Sequence, residues 1–156
     1  MPTFTTQRQV NHTDTEMFNL VSDVERYPEF LPMCEALTIR SRENRDGKTL
    51  LVADMTVGYK MIRETFTTQV FLDEDRHRID VHYVDGPFRY LENRWVFQAG
   101  ENGKSCTIEF FIDYEFKSRM LGILMGSMFD IAFRKFTEAF ETRADKIYGR
   151  NDSSAD

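Results

Sequence analysis

The sequence predicts an α+β fold in which one curved antiparallel sheet of about seven strands is covered by a single long C-terminal helix. Three observations carry this. Apolar residues recur with period two from residue 36 to residue 116, interrupted by turn residues. The stretch from Ser118 to about Tyr148 then switches to helical spacing and meets Gly149, a C-terminal stop. The helical signals before residue 36 are short, so helices and strands are segregated along the chain rather than alternating.

The elements follow in order. "TFTTQRQV" (3–10) alternates and reads as the first strand. In "HTDTEMFNLV", Thr13 and Glu16 form a capping-box pattern, and Met17, Leu20 and Val21 share a helical face. Pro28 suits the first position of a second, one-turn helix that Pro32 limits, with Tyr27 outside it. "ALTIRSRENRDGKTLLVADMTVGY" predicts two strands around an Asp46-Gly47 turn. Two more turn near Asp73–His77, and the last two turn at Glu101-Asn102-Gly103. The final strand is the most regular. Cys106, Ile108, Phe110, Ile112, Tyr114 and Phe116 occupy one face, with Phe111 the apolar exception on the other. A helix from Ser118 to Tyr148 would span about 45 Å. "GRNDSSAD" reads as a frayed tail, so the expected domain is 1–149 and the expected disordered tail is 150–156.

Composition narrows the function. The 156 residues suit one domain with one core. A net charge of −6 argues against DNA binding and weighs against ribosomal RNA, because both favour a basic face. No apolar run is long enough to span a bilayer, and the N-terminus lacks a secretory pattern, so a cytoplasmic protein is expected. Cys34 and Cys106 read as reduced thiols in a charged chain without a secretory pattern, and Cys34, which follows a proline-bounded turn rather than a basic helix start, reads as a packed one. The 14 phenylalanines are roughly twice the usual share.

No catalytic set emerges. His12, His77 and His82 are scattered, and neither a nucleophile elbow, a phosphate loop nor metal-ligand spacing is present. The expectation is therefore no enzyme, no catalytic cofactor and no metal. The long helix is unusual instead. "RMLGILMGSMFDIAFRKF" is apolar on nearly every side, although covering a sheet needs one stripe of about 100°. The surplus calls for a second partner: more core, another copy, a ligand or a lipid surface. Gly122 and Gly126 read first as a close approach to a neighbouring element. Met120, Met125 and Met128 suit either core filling or an adaptable apolar site. Trp95 shares a strand face with Leu91, Asn93 and Phe97, an inward position that is compatible with lining a cavity.

Four runs, "MFNLVSDVERYPEFLPMCEAL", "DGPFRYLENRWVF", "FFIDYEFKSRMLG" and "AFETRADKIYG", resemble the coenzyme Q-binding START-domain family, often labelled polyketide cyclase/dehydrase. That family also includes the bacterial ribosome association toxin. The likeness extends over about residues 3–149, with Met33 standing where an aromatic is frequent. It implies a helix-grip fold, a sheet wrapped round the C-terminal helix with an apolar cavity between. It also implies a bound ubiquinone or related polyprenyl lipid, and a non-enzymatic role supporting respiration and quinone biosynthesis. Ligand contacts are expected from Tyr27, Phe30 and Leu31 in the first run and from Phe88, Leu91 and Trp95 in the second. Phe110 on the final strand and Leu121, Leu124, Met125, Met128, Phe129 and Phe136 on the helix complete the expected wall. Tyr27, Tyr59, Tyr83, Asn93 and Tyr114 are the headgroup candidates. Peripheral contact with the inner membrane is left open by this reading. Its alternatives are a toxin-branch protein on the large ribosomal subunit and a polyketide cyclase or aromatase, which would need an inward acid–base pair.

Overall fold

The computed structural model describes residues 3–59 and 61–149, with the side chains of residues 59, 127, 128 and 130 outside the description. The expected tail 150–156 lies outside it as well. The element order is β1 (Thr3–Val10), α1 (Asp14–Ser22), a short 3₁₀ helix (Val24–Glu29), β2 (Cys34–Arg45), β3 (Lys48–Tyr59), β4 (Ile62–Asp73), β5 (Arg78–Asp85), β6 (Phe88–Ala99), β7 (Cys106–Phe116) and α2 (Arg119–Tyr148). The strands form one antiparallel sheet in the order β1-β7-β6-β5-β4-β3-β2.

Local chemistry explains most boundaries. The Glu16 N–H donates to the Thr13 hydroxyl at 3.0 Å while the Thr13 N–H donates to the Glu16 carboxylate, which closes the capping box of α1. Asp46 and Gly47 both adopt positive φ, 51° and 78°, as the two-residue turn between β2 and β3 requires. Ser118 caps α2 by accepting from the Leu121 N–H at 3.1 Å. The sheet curves, helped by register shifts at Cys34/Ala36, Ile39/Ser41, Thr67/Thr68 and Phe88/Tyr90.

One helix differs from expectation. The short helix starts four residues before Pro28 and contains it rather than starting at it, and Tyr27 lies inside it. A 3₁₀ turn tolerates Pro28 near its end, where few hydrogen bonds remain to lose. Tyr27 is fixed there by its hydroxyl, which donates to the Val21 carbonyl, and by its carbonyl, which accepts from the Leu31 N–H at 2.8 Å.

The core lies between the concave sheet face and α2. Six residues of β7 alternate inward and all are buried, from Cys106 to Phe116. The inner face of α2 carries Phe129, Phe133, Phe136 and Phe140, spaced by four, three and four residues, so they form one stripe. The outer face of the first four turns carries Met120, Ile123, Leu124 and Ile131, all exposed. The glycines give no close approach. A Cβ at Gly122 would meet Phe116 at 3.8 Å, an ordinary contact, and one at Gly126 would meet nothing within 4 Å.

Candidate functional site

Between the sheet and α2 lies a cavity of about 110 Å³. The short helix and the loop after it close one end with Val24, Tyr27 and Leu31. Strands β3 and β4 contribute Ala53, Met55, Val57, Phe66, Thr68 and Val70. Strands β5 to β7 add Ile79, Val81, Leu91, Asn93, Trp95, Phe110 and Ile112, and Leu37 comes from β2. The helix supplies the four-phenylalanine stripe as the roof. The wall is therefore almost wholly apolar, with Tyr27, Thr68, Asn93 and the Trp95 N–H as its polar groups.

Those groups are positioned by the protein itself. The Trp95 Nε1–H donates to Asn93 Oδ1 at 3.0 Å, and Asn93 Nδ2 donates to the Phe111 carbonyl at 2.8 Å. The Asn93 amide is thus held across β6 and β7, with one N–H and one lone pair unspent. Trp95 is clamped edge-on by Phe110 at 4.7 Å and Phe140 at 5.2 Å. Burial pushes the Tyr27 phenol well above its ordinary range, so it stays protonated and serves as a hydrogen-bonding group only.

The structure sorts the expected wall residues. Tyr27, Leu31, Leu91, Trp95, Phe110, Phe129 and Phe136 line the cavity. Phe30 sits behind it, edge-on to Phe140 at 5.2 Å and beneath the Arg143 guanidinium at 5.1 Å. Arg143 also bonds Glu29 at 2.6 Å, which ties the short helix to α2. Phe88 is fully buried off the wall, stacked on Phe116 at 4.8 Å and on Phe129 at 5.8 Å. Met125 is fully buried beside the cavity, and Leu121 packs half-buried on the same core. Leu124 points outward and is 51% exposed, because it falls on the solvent side of the helical repeat. The Met128 side chain lies outside the described residues.

Of the headgroup candidates, Tyr27 and Asn93 face the cavity. Tyr83 instead accepts from the Phe88 N–H at 3.0 Å, and Tyr114 is packed among Phe88, Phe116, Phe129 and Phe133. The Tyr59 side chain lies outside the described residues. Phe133, Phe140 and the β3–β4 wall are not among the expected contacts. The four-three-four spacing was the available signal for the two phenylalanines.

The cysteines are quiet. Burial pushes the Cys34 thiol up to about 11 and the Cys106 thiol up to about 12. His12 pairs with Asp145 at 2.7 Å and His77 with Asp14 at 2.6 Å, so both histidines fasten α1 rather than face the cavity. Among the described residues there is no cluster able to hold a metal ion.

Known proteins share this architecture. Residues 10–141 match the family described as polyketide cyclase / dehydrase and lipid transport. A protein of Rickettsia prowazekii named ribosome association toxin RatA is 33% identical over 135 residues, 85% of this chain and 88% of that protein. The coenzyme Q-binding protein COQ10 homolog B, mitochondrial, of Xenopus laevis is 31% identical over 140 residues, 88% of this chain and 55% of that protein. A START superfamily protein from Mycobacterium smegmatis superposes with a TM-score of 0.77, covering 93% of this chain and 98% of that one, and at 20% identity it shows the fold alone. With its curved seven-stranded sheet, its gripped C-terminal helix and these relatives, the chain belongs to the START-like polyketide cyclase / dehydrase and lipid transport family.

Proposed function

We propose that the protein is a non-enzymatic binder of ubiquinone or a related polyprenyl lipid, held in the cavity beneath α2. One observation carries this reading: a void walled by apolar side chains, with one anchored amide and a buried hydroxyl as placed polar groups. A quinone carbonyl could accept the unspent Asn93 N–H, while the phenylalanine stripe takes ring and isoprene units. Among the described residues the wall offers no carboxylate, histidine or ionisable thiol for acid–base work. The similarity to a coenzyme Q-binding protein supports the same reading.

The resting void is small. At about 110 Å³ it is below the ~300–1,000 Å³ of ordinary ligand pockets and comparable to the roughly 150 Å³ that admits benzene. A polyprenyl ligand must therefore enlarge it, and the first turns of α2, where a Cβ added at Gly126 would meet nothing within 4 Å, are the segment this reading assigns to that movement. Solvent extraction of the purified protein, followed by mass spectrometry, tests the proposal. A stoichiometric quinone or isoprenoid supports it; no such lipid, and no uptake of added ubiquinone, would exclude it.

A second reading is ribosome association, favoured by similarity to proteins named ribosome association toxins at 32–34% identity. Sucrose-gradient profiles of ribosomal subunits, with and without added protein, decide it. Loss of joined ribosomes supports the reading, and unchanged profiles remove it.

A further inference from the structure

The outer face of α2 does something the cavity does not explain. Met120, Ile123, Leu124 and Ile131 are 71%, 74%, 51% and 40% exposed and fall on one side of the first four turns. Met61, at the β3–β4 turn, is 94% exposed. Register places that turn at the same end of the sheet as the start of α2, because Tyr59–Ile62, Asp85–Phe88 and Phe116 all end their strands there. Met61, Met120, Ile123 and Leu124 thus meet water at one end of the molecule and Ile131 extends the stripe along α2, where a water-soluble surface normally scatters such side chains.

Charge distinguishes the candidate partners. Residues 117–138 contain Lys117, Arg119, Arg134 and Lys135 against Asp130 and Glu138, a local charge of +2 in a chain of net −6. All four cations are exposed, two before the apolar stripe and two after it. A second copy docking by the same face would set these cations against each other. An anionic surface would gain from them. We propose that this face docks on an anionic phospholipid bilayer, with α2 lying in the interface and its cations among the headgroups. No described helix is long and apolar enough to cross the membrane, so the contact is peripheral. The opposite side of the same helix roofs the cavity, so docking places that roof at the lipid boundary. The proposal stands whatever the cavity holds.

Co-sedimentation of the full chain with vesicles tests it, using phosphatidylcholine alone and phosphatidylcholine mixed with phosphatidylglycerol. The wild-type protein should sediment with the anionic vesicles, and high salt should release most of it. Ile123→Asp/Leu124→Asp, both at exposed positions, should weaken this binding by about ten-fold or more. Lys117→Gln/Lys135→Gln should weaken it on anionic vesicles only, and Ile147→Asp, at the other end of α2, should leave it unchanged. Absence of binding to anionic vesicles would overturn the proposal. Equal binding by Ile123→Asp/Leu124→Asp, or a solution dimer that this variant dissociates, would overturn it as well.

Discussion

Tyr27 joins the site to its support. Its ring lines the cavity, packs edge-on to Phe140 at 5.3 Å, and its hydroxyl satisfies the Val21 carbonyl at the end of α1. Tyr27→Phe leaves that carbonyl unpartnered and should cost about 1–3 kcal/mol in urea unfolding, with the cavity shape kept. The thiols make a pH prediction. Both folded values lie above the ordinary 9.0, at about 11 and about 12, so their burial contributes stability that is complete below pH 9. That contribution is lost as the pH rises through the folded values. Thermal melts should be flat with respect to these groups near neutrality and fall in the alkaline range, and Cys34→Ala/Cys106→Ala should fall less steeply. Alkylation of either cysteine at neutral pH should require unfolding.

Among the elements, α2 matters most. It is helical from Arg119 to Tyr148, yet its first half buries one side and exposes another, and its glycines satisfy no packing need. Gly126→Ala should therefore fit and raise stability by roughly 0.5–1 kcal/mol in denaturant titrations. If the first turns move to admit a ligand, the same change should also slow uptake. Much of this architecture was legible in the sequence. The capping box, the Asp46-Gly47 turn, the alternation of β7 and both ends of α2 depend on local chemistry that a few neighbouring residues determine. The cavity wall was only half legible. In β3, Ala53, Met55 and Val57 alternate with Asp54 and Thr56 and so read as one inward face, but alternation does not say which part of that face borders a void. Leu124 and Phe133 lie in an apolar run without a polar reference face, and only the packed sheet decides that one points out and the other in. Phe88 looks like a ligand contact in its Gly-Pro-Phe run, but its place is set by long-range stacking on Phe116 and Phe129.

The sheet and α2 enclose a void between them, and the single tryptophan sits in its wall. Ala53 lies across it on β3, and an isopropyl group added there by Ala53→Leu would project into the empty space. Filling a void usually keeps or raises stability, so this variant separates loss of binding from loss of fold. The most direct test is a fluorescence titration of Trp95 with a short-tailed ubiquinone analogue, a contact quencher, in the wild-type protein and in Ala53→Leu. The account predicts saturable quenching in the wild type and an apparent affinity weaker by about ten-fold or more in the variant, with its melting temperature unchanged or higher. Unquenched Trp95 at saturating quinone, or identical quenching curves for the two proteins, would contradict it.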